Sequence, residues 1–185
     1  MKDKIVFLFV GRILRDKGYF ELINAAKLIK NEYDNVEFHV IGPFDYQPAS
    51  ISDEIVYQDH KDKIIKYLGH KTNIIEYIRY CDCILLPSYH EGMSRILMEA
   101  ASMSKPIIAS NIYGCKEIVL DGINGFLVKP KCHKDLYLKI IKFLKLSNKE
   151  KIYMGKQSRV LALEKFDVRK VIAKYHNLLE SLIID

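Results

Sequence analysis

The segment PSYHEGMSRILMEAA, residues 87–101, decides the fold. It follows Cys83–Leu86, an apolar run of the length of a buried strand, and Pro87 ends that strand because proline has no amide proton for the ladder. Ser94 is a candidate N-cap, and the residues after it recur with helical spacing as an apolar face of Ile96, Leu97, Ala100 and Ala101. The segment therefore predicts a strand, a loop and a helix.

Two carboxylates and a glycine in this segment suggest a ligand site. The start of the helix offers unpaired amide protons and a partial positive charge, which suit a phosphate, and Gly92 lets the backbone approach such a group. Glu91 lies in the loop, and Glu99 lies about 7 Å along the helix from Ser94. A ligand with hydroxyls on both sides of a diphosphate, as in a nucleotide-sugar, could meet both carboxylates. Alternatively, Glu91 is an ordinary loop charge and Glu99 a solvated helix residue.

Strands alternate with helices along almost the whole chain. The predicted strands are Ile5–Val10, Val36–Ile41, Lys63–Leu68, Cys83–Leu86, Pro106–Ser110 and Phe126–Val128. The predicted helices are Tyr19–Lys30, Ser52–His60, a helix capped by Thr72 or Asn73 that ends at Tyr80, the helix after Ser94, a short helix at Cys115–Leu120, and three C-terminal helices near 133–146, 149–163 and 168–182. This alternation predicts an α/β fold, a Rossmann-like parallel sheet with helices on both faces.

The loops after the strands collect the chemically interesting residues. Ligands in such sheets bind outside the carboxyl ends of the strands, so these loops should share one rim. The first of them, Gly11–Gly18, carries two glycines and the cations Arg12, Arg15 and Lys17. It resembles a phosphate-binding loop in placement but lacks the Gly-Lys-Ser/Thr signature of a P-loop. A solvated basic surface loop is the alternative.

Composition indicates one globular domain over residues 1–185, with 49% hydrophobic and 28% charged residues. No apolar run reaches transmembrane length and no signal peptide is recognisable, so we expect a cytoplasmic protein. The four cysteines, Cys81, Cys83, Cys115 and Cys132, show no zinc spacing and are expected to be reduced thiols.

The formal charge of +6 is concentrated in the C-terminal helices. Residues 129–185 carry 14 Lys/Arg against 6 Asp/Glu, whereas residues 1–128 carry 15 against 17. A solvated lysine-rich surface is the favoured interpretation. A face for anionic membrane lipid is the alternative, and no aromatic-basic motif indicates nucleic acid.

Several motifs together resemble the retaining glycosyltransferases of family 4, also called group 1. These are Gly-Arg-x4-Lys-Gly at residues 11–18, Glu-x7-Glu at Glu91 and Glu99, KPIIA at residues 105–109 and DGINGFLV at residues 121–128. The resemblance covers about residues 5–165. It implies one half of a GT-B fold, the half that binds the nucleotide-sugar donor. The family's N-terminal acceptor domain is absent here, so a glycan or lipid-linked acceptor would be bound by that missing domain or by a partner chain.

The resemblance also implies roles for individual residues. Arg12 and Lys17 would pair with the donor diphosphate, Glu91 would contact the donor sugar, and Glu99 would bind the ribose hydroxyls. The donor would further meet Gly11, His70, Lys71, Gly92, Met93 and Ser94, with His70 and Lys71 beside the base. Because the cations neutralise the leaving group, neither a metal nor another cofactor is expected. Arg95 would either help to bind the phosphates or cover the helix.

The implied function is retaining, metal-independent transfer from a UDP-sugar or a related nucleotide-sugar. The sequence around Glu91 resembles the branches of this family that make capsule, exopolysaccharide or lipid-linked glycans. That resemblance would place the protein at the inner face of the membrane. The alternatives are a non-catalytic donor-binding subunit or remnant, and half of a nucleotide-sugar epimerase. Without its other half, the helix at 168–182 is expected to expose an apolar face.

Overall fold

The structure is a computed structural model that describes residues 4–183, so residues 1–3 and 184–185 of the expected domain lie outside the described residues. Its strands are β1 (Ile5–Val10), β2 (Val36–Ile41), β3 (Lys66–Tyr67), β4 (Cys83–Leu86), β5 (Ile107–Ser110) and β6 (Gly125–Val128). Its α-helices are α1 (Tyr19–Lys30), α2 (Asp53–Lys61), α3 (Ile74–Tyr80), α4 (Arg95–Ser102), α5 (His133–Lys145), α6 (Asn148–Lys165) and α7 (Val168–Ile183).

All six strands form one parallel sheet in the order β3-β2-β1-β4-β5-β6. The order reverses direction between β1 and β4, and Phe7 of β1 pairs with Phe38 on one side and Cys83 on the other. Continuous apolar strands are expected at this position because helices cover both faces. The predicted α/β Rossmann-like class is confirmed.

Two apolar cores lie on opposite faces of the sheet. The first contains Phe7, which stacks on Phe38 at 5.4 Å between ring centroids and meets Phe143 of α5 edge-on. Helices α1, α2 and α5 cover this face with residues such as Ile29, Val56 and Leu136. The second core contains Leu8, Ile84 and Ile107, and it is covered by Ile78 of α3, Leu97 of α4 and Ala162 of α6. Both faces of the central strands are therefore buried from solvent.

The third strand is shorter than the sequence predicts. Residues 63–68 were expected to form it, but pairing as a strand is confined to Lys66 and Tyr67. The amides of Ile64 and Ile65 donate instead to the carbonyl of Asp59 at the end of α2, and Lys63 takes a positive φ of 59°. The first half of the predicted strand thus closes a helix rather than extending the sheet.

The predicted helix at residues 115–120 is wrong. Residues 113–118 form consecutive turns, although Ile118 and Val119 both donate to the carbonyl of Cys115. The buried side chain of Asn124 accepts from the Leu120 amide and donates to the Ile118 carbonyl. A side chain from outside the segment therefore takes backbone groups that a continuing helix would use.

The C-terminal helices differ in how they are held. Helix α6 begins with a capping box between Ser147 and Glu150 and packs against α4. Helix α7 instead has every side chain exposed over residues 168–181, including the apolar Val168, Val171, Ile172, Tyr175, Leu178 and Leu179. The expected exposure of an apolar face is confirmed for this range, and the side chain of Leu182 lies outside the description. Within residues 4–183, no helix combines the length and the apolarity needed to span a membrane.

Candidate functional site

The loops that follow the strands contact one another along the edge of the sheet where the strands have their carboxyl ends, which we call the rim. The amide of Gly42, after β2, donates to the Gly69 carbonyl after β3, and the Gly11 amide donates to the Ile41 carbonyl. The Tyr89 amide, after β4, donates to the Asp16 carbonyl in the loop after β1 at 2.7 Å. The Ser94 amide donates to Gly114, after β5, at 3.4 Å. The predicted convergence of these loops on one rim is thus observed.

Two glycines allow these loops to approach so closely. Gly18 ends the β1–α1 loop with a φ of +78°, and a Cβ there would overlap the Pro87 carbonyl. Gly114 has a φ of +80°, and a Cβ there would overlap the carbonyl of Gly92. At both positions a side chain is disfavoured by the left-handed backbone conformation and is also blocked by a neighbouring backbone carbonyl.

Lys17 and Glu91 form the central contact of the rim. The Lys17 Nζ lies 2.8 Å from the Glu91 Oε1, and their side chains are only 20% and 14% exposed. Lys17 comes from the loop after β1 and Glu91 from the loop after β4, so the pair joins the two central strands where the sheet order reverses. A half-buried cation here can pair with a phosphate that displaces the carboxylate.

Arg12 lies on the same loop but is held differently. Its Nη1 donates to the Asp45 Oδ2 at 2.7 Å, and its side chain is half exposed. Asp45 follows β2 and also accepts from the Tyr46 amide. Sequence reasoning missed Asp45, because no local pattern marks a carboxylate 33 residues away as the partner of Arg12.

Glu99 is paired within its own helix. Its Oε1 accepts from the Nε of Arg95 at 2.8 Å, one turn earlier on α4. Both side chains line a groove of about 410 Å³ between α4 and the α6–α7 junction, together with Arg159 and Asp167. That groove is not lined by Lys17 or Glu91, so the structure pairs those two with each other and pairs Glu99 with Arg95.

The remaining predicted residues differ in their exposure. Gly11 and Lys71 are partly buried, while His70, Gly92 and Met93 are exposed. Ser94 is at the N-cap position of α4, as predicted, but it is buried and its side chain makes no cap hydrogen bond. His70 and Lys71 follow Gly69, whose carbonyl contacts the β2 loop, which places them on the rim beside β2.

Tyr89 is a second residue that sequence reasoning missed. Its hydroxyl donates to the Glu21 Oε1 at 2.8 Å, and the Lys131 Nζ lies 4.9 Å from its ring centroid. Burial and the Glu21 hydrogen bond raise the pKa of Tyr89 to about 12. The phenol therefore stays protonated, and remains a donor, at neutral pH.

The thiol of Cys115 is buried and interacts with two nearby carboxylates, Glu91 and Glu117. Burial, assisted by Glu91 and Glu117, raises the pKa of the Cys115 thiol to about 12. Glu117 accepts from the Gly114 amide at 2.6 Å, which gives it a structural role. Within residues 4–183 no group of three or more His, Cys, Asp or Glu side chains is arranged to hold a metal ion.

Comparison with known proteins gives one family. The family model described as glycosyl transferases group 1 matches residues 1–160. The chain is 30% identical over 180 residues to a Campylobacter jejuni N,N'-diacetylbacillosaminyl-diphospho-undecaprenol alpha-1,3-N-acetylgalactosaminyltransferase, covering 97% of this chain and 46% of the relative. It is 27% identical over 146 residues to the Staphylococcus aureus capsular polysaccharide biosynthesis glycosyltransferase CapM, covering 78% of this chain and 38% of CapM.

Solved structures share the fold. Anabaena HepE in complex with UDP superposes with a TM-score of 0.85 at 22% identity, over 97% of this chain and 49% of that one. The C-terminal domain of the Francisella tularensis group 1 protein LpcC superposes with a TM-score of 0.77 at 26% identity, over 89% of this chain and 87% of that domain. The chain thus spans about half the length of the curated relatives it matches.

Proposed function

Because the chain belongs to the glycosyl transferases group 1 family, we propose that its rim binds the nucleotide-diphosphate sugar donor of a glycosyltransferase. One observation carries the proposal: Lys17 and Glu91, from the two central loops, meet at 2.8 Å in a half-buried position. The pair offers a cation for a phosphate and a carboxylate for a sugar hydroxyl at adjacent points. That layout matches a donor whose diphosphate adjoins its sugar.

In the proposed reaction, the bond between the anomeric carbon and a diphosphate oxygen breaks, a bond forms between that carbon and an acceptor hydroxyl oxygen, and the hydroxyl proton passes to the leaving diphosphate. Negative charge develops on the leaving diphosphate, and Lys17 and Arg12 stabilise it. Arg12 first has to exchange Asp45 for a phosphate oxygen, and Lys17 likewise exchanges Glu91. Glu91, released from Lys17, then accepts hydrogen bonds from the sugar, and Glu99 accepts them from the ribose. We propose that these cations suffice without a metal and that the anomeric configuration is retained.

We propose a UDP-sugar as the donor and a glycan or lipid-linked molecule as the acceptor. Support comes from the UDP bound to HepE and from the undecaprenol-linked acceptor named for the Campylobacter relative. The acceptor would be bound by a further domain or partner chain, since this chain spans about half of the length of the Campylobacter relative. The alternatives stay a non-catalytic donor-binding subunit or remnant, or an epimerase half.

We further propose that the protein acts at the cytoplasmic face of the membrane. The 14 Lys/Arg against 6 Asp/Glu in residues 129–185 favour anionic lipid over neutral lipid. Co-sedimentation with anionic vesicles that is lost at high salt is expected. Failure to pellet at low salt would contradict this membrane contact without affecting the donor site.

Calorimetric titration with UDP, GDP and uridine, with and without EDTA, tests donor binding. We expect one diphosphate to bind equally well in EDTA. Arg12→Ala should weaken that diphosphate by about tenfold or more while leaving the nucleoside unchanged, because a charged hydrogen bond is lost. Arg79→Ala, an exposed arginine in the last turn of α3, is the matched control and should change neither. Equal loss of nucleoside and diphosphate, or no binding by the wild-type chain, would contradict the proposal.

A further inference from the structure

Tyr89 links the loop that carries Glu91 to the loop that carries Lys17. It stands two residues before Glu91, and its amide donates to the carbonyl of Asp16, the residue before Lys17. Its hydroxyl reaches Glu21 in the first turn of α1, the helix that follows the Lys17 loop. A single residue of the β4 loop therefore bonds the β1 loop and its helix at two separate points.

We propose that Tyr89 is a positioning residue for the donor site, holding the Glu91 loop against the Lys17 loop so that the two charged groups stay in register. The inference rests on the proposed function in that it assigns Tyr89 a task in donor binding. In this proposal Tyr89 acts through Lys17 and Glu91.

The hydrogen bond from the Tyr89 hydroxyl matters because it is the bond that satisfies the Glu21 carboxylate. Among the described residues, the Glu21 side chain has this one hydrogen bond, and its Oε2 is buried without a partner. The Asp16 Oδ1 is likewise buried without a partner. Removing the phenolic hydroxyl leaves a half-buried carboxylate without a donor, which is costly relative to an ordinary surface bond.

A third contact limits where the tyrosine ring can go. Lys131, in the loop between β6 and α5, lies 4.9 Å from the ring centroid. The ring is thus held by a cation on one side and anchored by its hydroxyl at the other end. Tyr89→Phe keeps the hydrogen bond from the backbone amide to Asp16 and the ring contact with Lys131, and it removes only the hydrogen bond from the hydroxyl to Glu21.

Amide hydrogen exchange of the ligand-free chain tests the positioning directly. In Tyr89→Phe, peptides covering residues 88–94 should exchange about two- to tenfold faster, which corresponds to the net value of one hydrogen bond. Residues 125–128 of β6 should not change. Tyr137→Phe is the matched control, because the Tyr137 hydroxyl also donates to a glutamate, Glu32, but away from the rim. Unchanged exchange at residues 88–94 in Tyr89→Phe would overturn the proposal.

UDP affinity then tests whether the positioning serves the donor site. Tyr89→Phe should weaken UDP binding about fivefold or more, within the usual range of coupling between sites. In a Lys17→Ala background, the same change should alter UDP affinity less than about twofold, because Lys17 is the one of the two positioned groups that is proposed to contact the diphosphate. Additive losses would overturn the proposal. If the wild-type chain binds no nucleoside diphosphate, the proposed function fails, and the exchange result alone decides whether Tyr89 holds the loop.

Discussion

Substitution of Gly114 by alanine should displace the loop that carries Glu91. Gly114 has a φ of +80°, where an alanine costs about 1–2 kcal/mol. The new Cβ would overlap the Gly92 carbonyl and lie 2.8 Å from the Glu91 carbonyl oxygen. Both obstacles are backbone atoms, which cannot rotate away as a side chain does, so the loop itself has to move.

Gly122 supplies the matched control for this substitution. Its φ is +77°, and nothing lies within 4 Å of a Cβ built there, so Gly122→Ala carries the backbone cost alone. Overpacking adds about 1–3 kcal/mol to Gly114→Ala, for a total of about 2–5 kcal/mol. The difference between the two variants isolates the contact with the Glu91 loop.

Urea unfolding measures the free energy of unfolding of both variants, and UDP titration measures their binding. We expect Gly122→Ala to bind UDP like the wild type. Gly114→Ala should lose about tenfold or more in affinity, because a displacement of about 1 Å in a binding group has effects of that size or larger. If the two variants lose the same stability and bind UDP equally well, the close packing of these loops does not shape the site.

Three further predictions follow from single side chains. Glu99→Ala should weaken UDP by about 1–3 kcal/mol in calorimetry, and unchanged affinity would remove Glu99 from the ribose role. Hydrogen bonds from Lys4 and His39 lower the pKa of Glu37 from 4.5 to about 2, so it stabilises the fold above pH 4.5 and loses that effect as the pH falls toward 2. Glu37→Gln should therefore flatten the pH dependence of the urea midpoint across that window, and an unchanged slope would show that Glu37 does not contribute. Because Cys132 is the one cysteine that is not buried, a thiol reagent should label one thiol per native chain and none in Cys132→Ser, whereas labelling of several native thiols would contradict the described burial.

The main strands could be predicted because their signals are local. The predicted and observed bounds coincide for Ile5–Val10, Val36–Ile41 and Cys83–Leu86. Ile5–Val10 and Cys83–Leu86 are uninterrupted apolar runs, as strands covered on both faces require, whereas Val36–Ile41 places the partly buried Glu37 and His39 between its apolar residues. The predicted strand at residues 63–68 is shorter than expected because the amides of Ile64 and Ile65 donate to the Asp59 carbonyl instead of pairing at the sheet edge. That competition depends on where α2 ends, which the segment itself does not encode.

The candidate site could be predicted in its residues but not in its pairings. The predicted ends of the strands placed Lys17 and Glu91 in loops at one rim of the sheet and Glu99 on the helix that follows. The partners of such residues are set by packing between distant segments: Arg12 meets Asp45 across 33 residues, and Tyr89 meets Glu21 across 68 residues. No periodicity or spacing within one segment contains that information. The roles of these residues toward a donor stay predictions.

A crystal structure of the chain grown with UDP tests the central claim most directly. We predict the diphosphate oxygens within about 3 Å of the Lys17 Nζ, a salt-bridge distance for a charged donor, with Glu91 released from Lys17 and the ribose hydroxyls at Glu99. A nucleotide bound elsewhere on the surface, with the Lys17–Glu91 pair still at 2.8 Å, would contradict the claim that this rim is the donor site.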